Sequence, residues 1–247
     1  MFTSKSLALV LFLFSSAAVA QQSETRQLVL YRPSTSTFYI RSGEASQPAK
    51  ELTMGAAGDV PLWADFNGDG KPEPAVYRRG QWLISTHADG NVDLKITFGG
   101  NDADIPLVAD VDGDGRQDLV IFRAGEWSVR GTRNLAVLQV FHFGAAGDTP
   151  LLADFDGDGK IDFAVFRAGQ WLVDTHRDGR ADLTLGFGAA NDKPLAVDWE
   201  GKKRPAALVV FRDGQWLVSL QRDGKVTADT SFGTKGDIPV SVLTTKK

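Results

Sequence analysis

Residues 143–188 read FGAAGDTPLLADFDGDGKIDFAVFRAGQWLVDTHRDGRADLTLGFG, and this stretch decides the fold. It consists of short apolar runs separated by segments rich in Gly and Asp, a pattern typical of β-strands joined by turns. The runs 163–166 and 171–173 do not alternate with polar residues, which indicates strands buried on both faces. The stretch therefore predicts four short strands, at 150–154, 161–167, 170–175 and 183–187, in a small sheet that lies between two neighbours.

The same unit recurs along most of the chain. Aspartates open equivalent segments at spacings of 45, 44 and 44 residues, and tryptophans recur in step with them at 45, 44 and 45. These residues are Asp65, Asp110, Asp154 and Asp198, and Trp82, Trp127, Trp171 and Trp216. An aromatic residue followed by arginine occurs five times, with the arginines at Arg32, Arg78, Arg123, Arg167 and Arg212. Independent markers that stay in phase over 200 residues indicate one repeated structural unit.

Four-stranded units of 44–45 residues that are buried on both faces predict the blades of a propeller. The N-terminal unit begins at its second strand (28–32), and the missing first strand appears at the other end of the chain (238–242). Pairing these two pieces would close the ring and remove both exposed edges. We therefore predict an all-β fold, a five-bladed β-propeller of four-stranded antiparallel blades, with the ring closed by the C-terminal strand that completes the N-terminal blade.

The first 20 residues have the features of a signal peptide. Lys5 supplies a basic start, 7–14 is an unbroken apolar run, and Ala18-Val19-Ala20 is a small-x-small cleavage site. The apolar part is too short to span a bilayer, and no later stretch predicts a membrane span. We expect export of a mature chain, 21–247, that forms a single domain and is secreted, periplasmic or displayed on the cell surface.

Composition excludes several classes of function. The 247 residues carry a formal net charge of −4, without the basic excess that phosphate binding needs, so nucleic acid is not expected as a partner. The chain has no cysteine, which excludes disulfides, thiolate metal sites and a cysteine nucleophile. The hydrophobic fraction of 43% is large enough for a substantial core and argues against disorder.

Three units carry an acidic loop of nine residues between the first and second predicted strands. Oxygen donors recur at positions 1, 3, 5 and 9, glycine stands at position 6, and position 7 offers its carbonyl. This is the donor set that calcium requires. The predicted ligands are Asp65, Asn67, Asp69, Lys71 and Glu73; Asp110, Asp112, Asp114, Arg116 and Asp118; and Asp154, Asp156, Asp158, Lys160 and Asp162. The alternative is a turn rich in Asp and Asn that binds no metal.

Other calcium loops do not fit this sequence. The bidentate acid of an EF-hand would fall on Val76, Ile121 or Val165, and strands follow each loop instead of helices. The fourth unit departs from the pattern, because Lys202 stands where the third donor should be and the loop is one residue longer. We therefore expect about three Ca²⁺ sites and no metal at Asp198.

The chain resembles the FG-GAP/VCBS repeat family, whose blades also form the head of integrin α subunits. The resemblance rests on Phe-Gly-x-x-Gly-Asp-x-Pro (143–150), Asp-x-Asp-Gly-Asp-Gly-x-x-Asp (154–162) and Ala-Val-Phe-Arg (164–167), and covers about residues 28–243. It implies an extracellular calcium-binding propeller that serves recognition or adhesion. Integrin heads have seven blades, so their ligand-binding residues are not carried over to this chain.

Two further sets of residues have predicted structural roles. The recurring tryptophans lie mid-strand, where we expect them in the core between blades, although stacking against sugars is the alternative. The five arginines and the aspartates before the prolines should emerge on one face of the ring and pair there. Those aspartates are Asp59, Asp104, Asp148, Asp192 and Asp237.

These features favour a monomeric, non-enzymatic module that binds an extracellular or cell-surface protein. A calcium-stabilised lectin that binds a glycan is the alternative, and a hydrolase is the least favoured class. His87 and His176 are repeat-equivalent and lie near Asp-Gly pairs, and no serine or lysine stands beside a base. No tryptophan or tyrosine recurs at a turn, where it could stack on a sugar.

Overall fold

The protein folds into five four-stranded antiparallel sheets arranged as a five-bladed propeller, as the sequence predicts. A computed structural model describes residues 27–42, 49–197 and 205–241. Blade 1 contains β1 (Gln27–Arg32), β2 (Thr37–Ser42), β3 (Lys50–Thr53) and the last strand, β20 (Ile238–Val240); blade 2 contains β4 (Val60–Ala64), β5 (Glu73–Arg78), β6 (Gln81–Ile84) and β7 (Leu94–Thr97). Blade 3 contains β8 (Ile105–Ala109), β9 (Asp118–Arg123), β10 (Glu126–Arg130) and β11 (Val137–His142). Blade 4 contains β12 (Thr149–Ala153), β13 (Asp162–Arg167), β14 (Gln170–Asp174) and β15 (Leu183–Gly186), and blade 5 contains β16 (Lys193–Val197), β17 (Ala207–Arg212), β18 (Gln215–Ser219) and β19 (Ala228–Ser231).

Ring closure follows the predicted scheme. Strand β20 pairs antiparallel with β1, with Val29 opposite Val240 and Tyr31 opposite Ile238. The last strand of the chain thereby covers the inner edge of β1, as the first strand of every other blade covers the second. Residues 1–26, which include the predicted signal peptide, and Val242 lie outside the described residues.

The core lies between the blades. The second strand of each blade is buried almost throughout, as in β13, where Asp162 to Phe166 are all buried. Five clusters of buried side chains fill the junctions, and most of them combine residues of two adjacent blades. Burial on both sides explains why these strands read as continuous apolar runs.

The first strands of adjacent blades contact one another and line a central channel of about 140 Å³. Five repeat-equivalent prolines contribute to its wall: Pro61, Pro106, Pro150, Pro194 and Pro239. The first strand of each blade is the innermost strand, and its inner edge faces the channel without a further partner strand. Proline is tolerated there because that edge needs no N–H donor.

One local expectation was wrong. An Asp-Gly pair between two strands predicts a two-residue hairpin turn, but the pairs at 89–90, 178–179 and 223–224 do not form such turns, because eight or nine residues separate the strands that they join. The two-residue turns lie between the second and third strands of blades 2 to 5, at 79–80, 124–125, 168–169 and 213–214. Both residues of each turn have positive φ, as type I′ hairpins require.

Candidate metal sites

The three predicted calcium loops, which we call the inner acidic loops (65–73, 110–118 and 154–162), share one backbone conformation. In 154–162 the position 9 carboxylate, Asp162, accepts the N–H of Phe155 at 2.7 Å, and the N–H of Gly159 donates to Asp154 at 2.8 Å. The equivalent bonds in the other two loops measure 2.8 and 2.8 Å, and 2.9 and 3.1 Å. Gly159 has φ +90°, which explains the glycine at position 6.

Each inner acidic loop brings three carboxylates together. Their closest oxygens lie within 4.8 Å of one another, without any group from another loop. The three clusters are Asp65, Asp69 and Glu73; Asp110, Asp112 and Asp118; and Asp154, Asp156 and Asp162. Oxygen donors at such spacing match the preference of a hard cation such as calcium. All nine residues belong to the predicted ligand set.

Of the other predicted ligands, the carboxylates of Asp114 and Asp158 lie outside these clusters, and their role as ligands stays a prediction. At position 5 of two loops, Asp114 and Asp158 each accept the backbone N–H of position 7, at 2.9 and 2.8 Å. Asp158 also pairs with the Lys160 ammonium at 3.0 Å. The backbone N–H groups of Lys71, Arg116 and Lys160 thus bond to position 5, and their carbonyls as ligands stay a prediction.

Asn67 occupies position 3 of the blade 2 loop. Its side-chain amide donates to Glu73 Oε1 at 3.1 Å, while its Oδ1 accepts the Asp69 N–H at 2.8 Å. The amide N–H therefore compensates part of the charge on Glu73. For Asn67 to act as a ligand, its amide oxygen would have to turn toward Glu73, where the amide nitrogen now lies.

Burial raises the pKa of the carboxylates at position 9 of the inner acidic loops. Desolvation, together with the neighbouring carboxylates, raises the pKa of Glu73 to about 7 and the pKa of both Asp118 and Asp162 to about 6. The pKa of Asp110 is raised for the same reason. Each loop thus concentrates negative charge where water cannot screen it well, and a bound cation would relieve this penalty.

One buried oxygen is compatible with a cation. Asp110 Oδ1 accepts no well-formed hydrogen bond, although the backbone N–H of Gly113 also interacts with this carboxylate. It belongs to a cluster whose other members are Asp112 and Asp118. The donor chemistry and this unsatisfied oxygen together fit calcium. The fourth loop, with Asp198, Glu200 and Lys202, lies outside the described residues, so the expectation that it binds no metal stays a prediction.

A second set of loops uses the same backbone scaffold without the full set of acids. These outer Asp-Gly loops join the third and fourth strands of blades 2, 4 and 5, at 85–93, 174–182 and 219–227. In 174–182, Gly179 N–H donates to Asp174 at 2.8 Å and Thr175 N–H donates to Asp182 at 2.8 Å, which repeats the bonds of the inner acidic loops. Position 3 is His176, whose Nδ1 lies 3.0 Å from Asp182.

In two of these outer loops, 85–93 and 174–182, a histidine pairs with the carboxylate at position 9, whereas 219–227 contains no histidine. The hydrogen bond between His176 and Asp182 lowers the pKa of Asp182 to about 2 and raises the pKa of His176. His87 and Asp93 form the equivalent pair at 2.6 Å, with the same directions of shift. The sequence contains a signal for this relationship, since Asp174, Asp178-Gly179 and Asp182 stand at positions 1, 5–6 and 9.

The predicted structural roles of tryptophan and arginine are confirmed. Each recurring tryptophan is at most 2% exposed and donates its indole N–H at 2.9 Å to the carbonyl of the Phe that ends its unit. Each of the five arginines pairs with a buried aspartate at 2.6–2.9 Å, in the pairs Arg32–Asp237, Arg78–Asp59, Arg123–Asp104, Arg167–Asp148 and Arg212–Asp192. These residues hold the blades together and leave no recurring tryptophan exposed for a sugar.

Comparison with known proteins supports the fold only. No family model and no curated protein matches the chain. A protein of unknown function from Bacteroides caccae is 10% identical, with a TM-score of 0.51 over 83% of this chain and 72% of that one. An Agrocybe aegerita lectin that recognises non-reducing terminal N-acetylglucosamine is 17% identical, with a TM-score of 0.48 over 85% of this chain and 63% of the lectin. BBS1N in complex with ARL6DN is 15% identical, with a TM-score of 0.45 over 83% of this chain and 64% of BBS1N. At such identities the likeness concerns the fold alone.

Within the described ranges, no helix is both long enough and apolar enough to cross a membrane.

Proposed function

We propose that this protein is an exported calcium-binding propeller of the FG-GAP/VCBS type, and that it acts as a protein-interaction or surface-adhesion module without enzymatic activity. The observation that carries the proposal is the convergence of three carboxylates in each of three in-phase loops. The raised pKa of the position 9 carboxylates and the unsatisfied oxygen of Asp110 support a cation in place of protons.

The calcium ions would have a structural role. When bound, an ion neutralises a carboxylate cluster that otherwise opposes folding. The chain's own residues shape each site: the position 1 and position 9 carboxylates bridge the two ends of a loop through backbone N–H groups, and Gly159 and its equivalents allow the sharp turn. Because a ligand that binds only the folded state stabilises it, an ion at about 100 times its Kd would add about 2.7 kcal/mol per site.

Calorimetric titration of the 21–247 chain tests this proposal. We expect three Ca²⁺ sites, with affinities of about 10⁻⁴ to 10⁻³ M, as in other extracellular calcium modules. Asp112→Ala and Asp156→Ala should each remove one site, whereas Glu200→Ala in the fourth loop should remove none. A stoichiometry of zero or five would contradict the proposal.

The interaction role has its own test, because a lectin is the principal alternative. A glycan array probed with the mature chain, with calcium and with chelator, should show no calcium-dependent binding. The described tryptophans are all buried, so they cannot serve as stacking platforms. Calcium-dependent binding to one glycan class would replace the protein-interaction proposal with a lectin.

A further inference from the structure

Arg177 connects the inner acidic loops of two adjacent blades. It lies in the outer Asp-Gly loop of blade 4 and has φ +56°, a left-handed conformation that is costly for a residue with a Cβ. Its Nη2 donates to the carbonyl of Ile161 at 2.9 Å and to the carbonyl of Val111 at 3.3 Å. The guanidinium also lies over the ring of Phe163, 5.3 Å from its centroid.

Both carbonyls adjoin residues of the carboxylate clusters. Ile161 immediately precedes Asp162 in the blade 4 loop. Val111 immediately follows Asp110 in the blade 3 loop, and its own N–H binds Asp118. A movement of either cluster therefore moves a carbonyl that accepts a hydrogen bond from Arg177, so this one side chain is in contact with both loops.

We propose that Arg177 couples cation binding in the blade 3 loop to cation binding in the blade 4 loop. This inference rests on the proposed function, since it concerns the same sites. A cation in one loop restricts the position of that loop's carbonyl and therefore of the Arg177 guanidinium. The carbonyl of the other loop accepts a hydrogen bond from the same guanidinium, so the other loop loses less conformational entropy when it binds its own cation. The coupling is therefore positive, and it is reciprocal between the two sites.

Arg222 provides a matched comparison. It has the same position in the outer loop of blade 5, a φ of +53°, and an Nη1 that donates to the carbonyl of Phe155 in the blade 4 loop. Among the described residues it bonds to one inner acidic loop only. Blade 2 has Ala88 at this position, which has no side chain to form such a bond. Arg222 should therefore tune the blade 4 site without linking it to blade 3.

The experiment uses the 21–247 chain with the blade 2 loop silenced by Asp69→Asn. Calcium titrations of this parent give the two macroscopic association constants for the blade 3 and blade 4 loops. Adding Asp112→Ala or Asp156→Ala leaves one loop each and gives the two single-loop constants. The coupling factor is the product of the macroscopic constants divided by the product of the single-loop constants.

We expect a coupling factor of about fivefold or more in the parent, the lower end of ordinary allosteric coupling. Arg177→Gln should reduce the factor to about one, and Arg222→Gln should leave it unchanged while altering the blade 4 constant. Arg177→Met keeps the apolar stem over Phe163 and removes the donors, so it should act like Arg177→Gln if hydrogen bonding carries the effect.

The outcomes separate this inference from the proposed function. Calcium binding with a factor near one in the parent, or with the same factor in both Arg177 variants, overturns the coupling and leaves the proposed function standing. A parent that binds no calcium overturns both.

Discussion

Arg32 and Asp237 stand 205 positions apart in the chain and form a two-pronged ion pair, with Nε to Oδ1 and Nη2 to Oδ2 both at 2.9 Å. The other four pairs of the ring join residues only 19 or 20 positions apart. The contact that in the other four blades joins the residue before the first strand to the end of the second strand therefore also closes the ring. Because Asp237 directly precedes β20, the pair fixes the register in which β20 reaches β1.

Deleting residues 238–247 should destabilise the ring. The deletion removes β20 and exposes the inner edge of β1, which is then free to pair with another chain. We expect aggregation or a broad, non-cooperative thermal transition, monitored by circular dichroism and light scattering. Asp237→Asn, which weakens the ion pair but keeps the strand, is the control and should preserve cooperative unfolding. A truncated chain that melts like 21–247 would contradict the closure mechanism.

The repeat made the architecture predictable because each marker has a fixed structural task. Trp171 bonds the carbonyl that ends its unit, Arg167 pairs with Asp148, and Gly159 supplies a left-handed turn. Residues with such tasks must recur at the period of the blade. Blade number, strand order and the convergence of carboxylates at positions 1 and 9 were therefore readable from the sequence.

What the sequence did not reveal depends on contacts between blades or on the course of a loop. The hydrogen bond from Arg177 to Val111 joins residues 66 positions apart, so no local sequence pattern predicts it. Asp114 and Asp158 are predicted ligands by spacing, and the structure adds that each accepts a backbone N–H within its own loop. Asp-Gly is also a common dipeptide of two-residue hairpin turns. In 174–182, however, the hydrogen bonds to Asp174 and Asp182 stabilise a longer loop.

Positions 5 and 9 of the blade 4 loop should differ in their effect on calcium affinity. Asp162 belongs to the carboxylate cluster and Asp158 does not. We expect Asp162→Ala to abolish binding in this loop and to lower the Tm, since it also removes the acceptor for the Phe155 N–H. Asp158→Ala should weaken binding by less than about tenfold, because the lost group is an exposed partner of Lys160. Calorimetry in the Asp69→Asn, Asp112→Ala background measures both; equal losses would place Asp158 among the ligands.

The junction between blades 1 and 2 is packed differently from the junction between blades 4 and 5. In blade 1, Phe38 stands where blade 4 has Trp171, and Trp63 of blade 2 packs against Phe38 with ring centroids 5.6 Å apart. The residue of blade 5 equivalent to Trp63 is Ala196, which packs in one cluster with Trp171. The tryptophan at the junction between blades 1 and 2 thus belongs to the second of the two blades, whereas the tryptophan at the junction between blades 4 and 5 belongs to the first.

This exchange predicts a compensating pair of substitutions. Trp171→Phe should destabilise by about 2 kcal/mol, through lost volume and an unpaired Phe187 carbonyl. Ala196→Trp alone should overpack the junction and cost about 1–3 kcal/mol. The double variant should be less destabilised than the sum by about 1 kcal/mol or more. Urea unfolding of the four proteins measures the coupling, and strict additivity would contradict the exchange.

Strand β11 is the least protected outer edge among the described strands. It has six residues and no Lys, Arg, Asp or Glu, and its Val137 and Val140 are 62% and 56% exposed. An exposed apolar edge promotes association between chains. Val137→Lys and Val140→Lys should therefore slow heat-induced aggregation while changing stability by less than about 0.5 kcal/mol. Thr184→Lys on the outer strand of blade 4 is the control; if it protects equally well, charge alone and not this edge explains the effect.

The pH dependence of stability should change sign when calcium is added. In chelator, Glu73, Asp118 and Asp162 have folded-state pKa values of about 7, 6 and 6, above their usual values of 4.5 and 3.8. Folding therefore favours their protonated forms, and that stabilisation is complete below about pH 4 and disappears as the pH rises through 6–7. His87 and His176, whose pKa values are raised, act in the same direction.

The metal-free chain should thus melt at a higher temperature at pH 5 than at pH 8. A shift of two pKa units is worth on the order of 2–3 kcal/mol, which corresponds to about 5–10 °C for a domain of this size. In millimolar calcium the order should reverse, because the ion binds the ionised carboxylates and protons compete with it below pH 7. Replacing the position 9 acids (Glu73→Gln, Asp118→Asn and Asp162→Asn together) should flatten both profiles. Melting curves from pH 5 to pH 8 test this, and a metal-free chain whose Tm rises with pH would show that these carboxyl groups are ionised without a cation.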